Sequence, residues 1–160
     1  MADRGGSVVV GMDIGGTSIK MGLVTKAGET LATSKVRTGV LDNEAAFAEV
    51  QAAVAELVGE AGLGASDVAA LGVDVPGVVL EDGTLAMAPN ITLDLNGLLA
   101  CLGSAFPMAR IAALNDANAA ALGEAWLGSG DASGSTVMVT LGTGVGAGVM
   151  CAGRLLHGML

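Results

Sequence analysis

Asp13 stands two residues ahead of Gly15-Gly16-Thr17, and this short stretch is framed by the apolar runs Val8 to Ile14 and Ile19 to Thr25. The backbone N–H groups of a glycine turn can approach phosphate oxygens closely. The Thr17 hydroxyl adds a donor, and the Asp13 carboxylate can hold a hydrated divalent cation against the same oxygens. An ordinary tight hairpin carrying a surface aspartate fits these residues equally well, because glycine pairs between apolar runs favour hairpin turns. A second glycine-threonine turn, Gly142-Thr143-Gly144-Val145-Gly146, comes after another strand pattern late in the chain. Between the two lies Asn115-Asp116-Ala117-Asn118, a carboxylate and amides at the junction of a strand and a helix. Such a junction is the usual ligand crevice of α/β sheets, although either Asn115 or Asp116 alone would also serve as a helix cap. Asn90 stands after Ala88-Pro89, where the backbone is stiff, and is compatible with projection into a cleft or with a simple turn. Two phosphate-gripping turns, a cation-positioning Asp13 and Asp116 as a base together describe transfer of a phosphoryl group to a hydroxyl. Asn90 and Asn115 donate and accept at once, as a polyhydroxy acceptor requires.

These residues need elements to position them. Val8 to Ile14, Ile19 to Thr25 and a strand near Thr30 to Arg37 read as a three-stranded antiparallel meander. Asp42 or Asn43 caps a helix whose apolar positions Phe47, Val50, Val54, Leu57 and Ala61 recur at steps of three and four, and Gly62 and Gly64 end it. Val68 to Val75 is a strand closed by Pro76-Gly77, and Asp74 within it reads as a strand-end residue. Val78 to Leu80 and Thr84 to Met87 form a small hairpin. Asn96 to Leu102 is expected to be a short helix, Ala109 to Leu114 a buried strand, and Ala117 to Leu127 an alanine-rich helix on which Glu124 is solvated. Residues 128 to 134 are a loop by composition. Ser135 to Leu141, Ala147 to Cys151 and Arg154 to His157 then repeat the strand, glycine turn, strand, turn, strand order of residues 8 to 37. An internal duplication is the natural inference, with one glycine-threonine hairpin in each half gripping opposite sides of a phosphate chain. The last three strands have no helix after them, so one sheet is expected to stay uncovered.

Composition narrows the function further. With 160 residues the chain suits one domain or a little more, and 26 glycines against three aromatic residues demand a mainly aliphatic, closely packed core. Seven Lys and Arg against 16 Asp and Glu leave a net charge of −9, which disfavours nucleic acid as a partner. Cys101 and Cys151 are too few for a disulfide framework and fit a reducing compartment. No apolar run reaches the length of a membrane span and the N-terminus lacks a leader-like segment, so a soluble cytoplasmic protein is expected, with no membrane partner.

Other phosphate motifs fit poorly. Residues 142 to 147 match Gly-x-Gly-x-x-Ala, but that fingerprint must open a helix, and Ala147 to Cys151 is an apolar, glycine-broken strand. Residues 15 to 20 lack the Gly-Lys-Ser/Thr ending of a P-loop. His157 is the sole histidine, which leaves a zinc cluster or a Ser/His/Asp triad unsupported and suggests a surface or packing residue.

The stretches Asp13-Ile14-Gly15-Gly16-Thr17, Pro76-Gly77, Ala88-Pro89-Asn90, Asn115 to Glu124 and Leu141 to Gly146, in this order, resemble the ROK sugar kinases of the actin, sugar kinase and Hsp70 superfamily, the bacterial glucokinases above all. The resemblance runs from about Val8 to Leu160. It implies an α/β, ribonuclease H-like (actin-like ATPase) fold whose first lobe, residues 1–116, is a mixed sheet with flanking helices, and whose second lobe begins at 117–160 and is truncated. It further implies ATP with Mg²⁺ and phosphorylation of a hexose, glucose foremost, at its 6-hydroxyl. By position, Asp116 would be the general base, while Gly77, Asn90 and Asn115 would join it in binding the sugar. Asp13 would orient Mg²⁺ through water. Gly15, Gly16 and Thr17, with Gly142, Thr143 and Gly144, would contact the phosphates. The family's acidic-Gly-His sugar contact, its zinc-binding Cys/His segment and its adenosine-binding region have no counterpart in this stretch, so an N-terminal fragment is expected. Structural Zn²⁺ would belong to the remainder, and the full-length form is expected to be a homodimer. The alternatives are a kinase of the same family for fructose, mannose or an N-acetylated hexose, or a sugar-responsive regulator without its DNA-binding domain, although such regulators carry a helix-turn-helix ahead of the first strand, where only seven residues stand here.

Overall fold

A computed structural model describes residues 8–141 and 144–157. The chain opens with the expected meander, β1 (Val8–Ile14), β2 (Ser18–Thr25) and β3 (Thr30–Arg37), then helix α1 (Glu44–Glu60) and strand β4 (Val68–Val75). A small hairpin, β5 (Val78–Val79) and β6 (Leu85–Met87), precedes helix α2 (Leu95–Ala105) and strand β7 (Arg110–Asn115). Helix α3 (Asp116–Leu127) then leads to β8 (Thr136–Leu141), β9 (Val145–Cys151) and β10 (Arg154–Leu155). β10 ends two residues earlier than the pattern suggests, since only Arg154 and Leu155 find register partners on β9.

The main sheet has the order β3-β2-β1-β4-β7. Its first three strands are antiparallel, whereas β4 and β7 run parallel to β1, each reached through a helical crossover. Alternation divides every strand. Val8, Val10, Met12 and Ile14 of β1, Ile19, Met21 and Leu23 of β2, and Val68, Leu71, Val73 and Val75 of β4 point to one face and are buried. The α1 stripe Phe47, Val50, Val54, Leu57 and Val58 and the α2 residues Leu95, Leu98 and Leu102 complete that core. Burying each such side chain is worth about 1.5–3 kcal/mol, which is what holds both helices against the sheet. Asn43, rather than Asp42, caps α1 by accepting from Ala46 N at 3.1 Å, and Asp94 caps α2 by accepting from Gly97 N at 3.0 Å. The start of α2 is thereby one residue earlier than the sequence pattern indicates.

The opposite face of the main sheet is built differently. Gly22, Gly11, Gly72 and Ala112 stand in one register row across β2, β1, β4 and β7. A Cβ at Gly11 or Gly72 would meet nothing within 4 Å. One row nearer the C-terminal end of β1, Lys20, Asp13, Asp74 and Leu114 line up in the same way.

The second sheet has the order β10-β9-β8 and packs on α3. Here contact depends on missing side chains: a Cβ at Gly148 would lie 2.4 Å from Ala117 O, and one at Gly146 would lie 3.1 Å from the Ala117 Cβ. Ala121, Ala125 and Met150 form its small core. The other face exposes Val137, Val139, Leu141 and Val145, which matches the expectation of an uncovered sheet. Among the described residues no helix is long and apolar enough to cross a membrane.

Candidate active site

The first glycine turn closes tightly, with Gly15 N donating to Ser18 O at 3.1 Å and Thr38 Oγ1 donating to Gly15 O at 2.6 Å. Freedom to adopt positive φ is the usual reason for glycine in such a hairpin, but this turn is made otherwise. Positive φ occurs at Gly28, Gly62, Gly83 and Gly153, not at Gly15 or Gly16. What Gly15 provides is room, since a Cβ there would come within 3.2 Å of Ser18 O. Gly16 and Thr17 are exposed at the rim of a cleft.

That cleft, about 740 Å³, is lined by Gly16 and Thr17 from the first turn, Pro76, Asn90, Asn115 and Asp116, and by Thr140, Leu141 and Gly144 to Gly146 from the second hairpin. Each of these segments carries a motif visible in the sequence, and the fold delivers them to one opening. Gly142 and Thr143 lie outside the described residues. Gly77 sits behind Pro76, where glycine is a steric necessity: a Cβ would be 2.3 Å from Met87 O, at the exit of β6. Asn90 is exposed on the turn after β6.

Asn115 ends β7 and caps α3, its Oδ1 accepting from Ala117 N at 3.0 Å and Asn118 N at 3.3 Å. Its Nδ2 donates to Gly77 O at 2.9 Å, tying the loop after β4 to the start of α3. An amide has two N–H groups, so one remains for the cleft. Asp116 opens the helix, one oxygen accepting from Ala117 N at 2.8 Å. Its other oxygen has no hydrogen-bond partner among the described residues. The carboxylate is exposed at a helix N-terminus, where the axial dipole favours negative charge.

Asp13 is half-buried on the outer face of β1 and receives a contact from Lys20 Nζ at 2.8 Å on Oδ2. Asp74 is its direct partner across the parallel pair of β1 and β4. Burial, then the charge and hydrogen-bonding reach of Asp13, raises the Asp74 pKa to about 8. Asp116 adds to that effect from the helix and Lys20 opposes it. Lys20, Asp13 and Asp74 are not among the residues lining that cleft; they border a second cavity of about 460 Å³, between the outer face of the sheet and Ala119 of α3. The sequence pattern alone marks Asp74 as a strand-end residue and gives Lys20 no role. The signal that could have found them is parity. Asp13, Lys20 and Asp74 all occupy the outward-facing positions of their strands, and they converge once β2, β1 and β4 are neighbours.

A single accessible carboxylate suits Mg²⁺, which keeps most of its water and is bound by one or two carboxylates together with phosphate oxygens. Asp13, half-buried two residues ahead of the first glycine turn, could supply such a carboxylate, and no cluster of three or more His, Cys, Asp or Glu that could hold a metal exists among the described residues.

The sequence pattern of the ROK family matches residues 9–160. The chain belongs to the ROK family. Among curated relatives, this ROK chain is 36% identical over 152 residues to the glucokinase of Halalkalibacterium halodurans, covering 94% of the chain and 46% of that protein. It is 33% identical over 151 residues to the β-glucoside kinase of Listeria monocytogenes, covering 94% of the chain and 49% of that protein. The solved structure of a ROK glucokinase from Streptomyces griseus with glucose and AMPPNP superposes with a TM-score of 0.79 at 35% identity, over 95% of this chain and 47% of that one. The mixed sheet and flanking helices are therefore those of the ROK glucokinases, with their actin-like ATPase fold. The chain spans about half the length of the curated relatives it matches.

Proposed function

We propose that the protein is an ATP-dependent hexose kinase that phosphorylates the 6-hydroxyl of glucose, and that this chain carries its phosphate turns, acceptor amides and general base. Residues 1–116 make one lobe in this reading and 117–160 open the second. The observation that carries it is the single cleft lined by both glycine hairpins together with Asn90, Asn115 and Asp116. The free Asp116 oxygen accepts the proton of the attacking hydroxyl as the hydroxyl oxygen bonds to the γ-phosphorus of ATP and the bond from that phosphorus to the bridging oxygen breaks, releasing ADP. Asn90, the remaining Asn115 N–H and the Gly77 backbone hold the sugar so that this hydroxyl faces the donor. N–H groups of Gly16 and Gly144, with Gly142 and Thr143, and the Thr17 hydroxyl take the charge that spreads over the phosphoryl oxygens, while Gly15, whose N–H is held by Ser18 O, shapes the turn that presents them. Mg²⁺, oriented by Asp13, neutralises part of that charge when bound.

A coupled assay of the full-length protein with ATP and glucose, fructose, mannose, N-acetylated hexoses and a β-glucoside tests this. Glucose is expected to give the highest kcat/KM. Preference for the β-glucoside, the acceptor named for the Listeria relative, would move the assignment within the kinases. No phosphorylation of any of them would overturn it.

A further inference from the structure

Two carbonyls of the first glycine turn are held from outside the turn by a single residue. Thr38, which follows β3, donates its hydroxyl to Gly15 O at 2.6 Å and its backbone N–H to Thr17 O at 3.1 Å. We propose that Thr38 is a positioning residue for the phosphoryl donor: its hydroxyl locks the Gly15–Gly16 peptide plane in the orientation that turns the Gly16 N–H toward the donor's phosphates. The inference rests on the phosphotransfer reading given above.

The need for a lock follows from the residue types. A trans peptide is planar and its C=O and N–H point to opposite sides, so fixing Gly15 O fixes the direction of the Gly16 N–H. This plane lies between two glycines. With no Cβ on either side, ψ of the first residue and φ of the second are both free to change, and rotation of the plane meets less steric resistance here than between any other pair. A rotated plane would present a carbonyl oxygen, rather than an N–H, to an anionic ligand. Gly16 and Thr17 line the cleft and Thr38 does not, so the hydrogen bond to Thr38 draws the carbonyl to the side away from the opening. Thr38 is itself anchored before and after. Arg37 pairs with Ser18 in the register of β2 and β3. Leu41 is buried, donates its N–H to Thr92 O at 3.0 Å and accepts from Asp94 N at 2.7 Å. The segment that follows Asn90 is therefore held by Leu41 and not by the Thr38 hydroxyl, which leaves the acceptor side independent of the lock.

Thr38→Val removes the hydroxyl and keeps the side-chain shape, whereas Thr38→Ser keeps the hydroxyl. In the full-length protein, Thr38→Val is expected to lower kcat/KM for ATP about tenfold or more, because a hydrogen bond to an anion is among the strong ones, while the KM for glucose stays within about twofold. Thr38→Ser is expected to restore kcat/KM for ATP to within about threefold of wild type. An unchanged kcat/KM for ATP in Thr38→Val overturns the proposal, and so does an equal loss toward ATP and glucose, which is what a merely structural threonine would give. The lock is also read without nucleotide or sugar. ¹⁵N relaxation dispersion at the Gly16 amide, which senses microsecond to millisecond exchange, is expected to be flat in wild type and to show exchange in Thr38→Val. Equal relaxation in the two proteins overturns the lock. If the wild type phosphorylates no sugar, the kinase reading fails, while the Gly16 comparison still decides whether Thr38 locks the turn.

Discussion

The two glycine hairpins share an order of strands but rest on different foundations. The β1–β2 hairpin belongs to a five-stranded sheet whose inner face is filled by Val, Ile, Met and Leu against α1 and α2. The β8–β9 hairpin belongs to three strands that meet α3 through Gly146, Gly148 and alanines, with Val137, Val139, Leu141 and Val145 exposed behind it. Large interlocking side chains fix the first turn in place. Backbone against backbone brings the second turn close to the helix that carries Asp116 but leaves it little core of its own. The repeat is one of topology, and its two copies divide the work between rigidity and proximity.

Asp116 lies between the hairpins, and replacing it should have the largest effect. Asp116→Asn in the full-length protein is expected to lower kcat by about three orders of magnitude while leaving the KM for glucose within a few-fold. Near-normal turnover in steady-state kinetics would remove Asp116 as the base. Next come changes to the two foundations. Leu57→Ala beneath the first hairpin should cost about 2–5 kcal/mol in urea denaturation, whereas Val139→Thr on the exposed face of the second should stay within about 0.5 kcal/mol. Comparable losses at both positions would mean that the second sheet is as deeply packed as the first.

Glycine substitutions sharpen the contrast further. Gly148→Ala drives a methyl into Ala117 O and should destabilise by about 1–3 kcal/mol, while Gly11→Ala, with open space around it, should be close to neutral. Equal melting temperatures for the two variants would contradict the close approach of β9 to α3.

A further effect concerns pH and the sheet that carries the first hairpin. Folded Asp74 keeps its proton up to about pH 8, whereas its usual value is 3.8. Between those values the folded state binds the extra proton, so stability falls as pH rises through that window and levels off above it. Asp74→Asn removes this dependence and should raise the melting temperature more at pH 8.5 than at pH 5. A gain independent of pH would show that Asp74 does not titrate in this range.

Much of the fold is legible in the chain itself. The meander, the α1 stripe and the strand before Pro76-Gly77 come from alternation, a period near 3.6 and the loss of a ladder donor at proline. The residues of the cleft are legible too, because each sits at a turn or an element end that its own neighbours define. The Lys20, Asp13 and Asp74 row is not, since it exists only in the register between strands far apart in sequence. Asp74 reads as a strand end because nothing local to Gly72-Val73-Asp74-Val75 hints at the carboxylate beside it. The steric demand at Gly77 is hidden for the same reason, as it is imposed by Met87 O from another strand.

The side chain of Asn115 makes three bonds within the protein and keeps one N–H for the cleft, which makes it a position where different losses cannot be told apart by activity. Asn115→Ala would remove a helix cap, the Gly77 tether and an acceptor contact in one stroke. Asn115→Asp is more discriminating, because a carboxylate can still cap α3 but cannot donate to Gly77 O. If that variant folds normally yet binds sugar poorly, the acceptor is sensed through a loop whose position is set by the cap of the helix that follows the neighbouring strand.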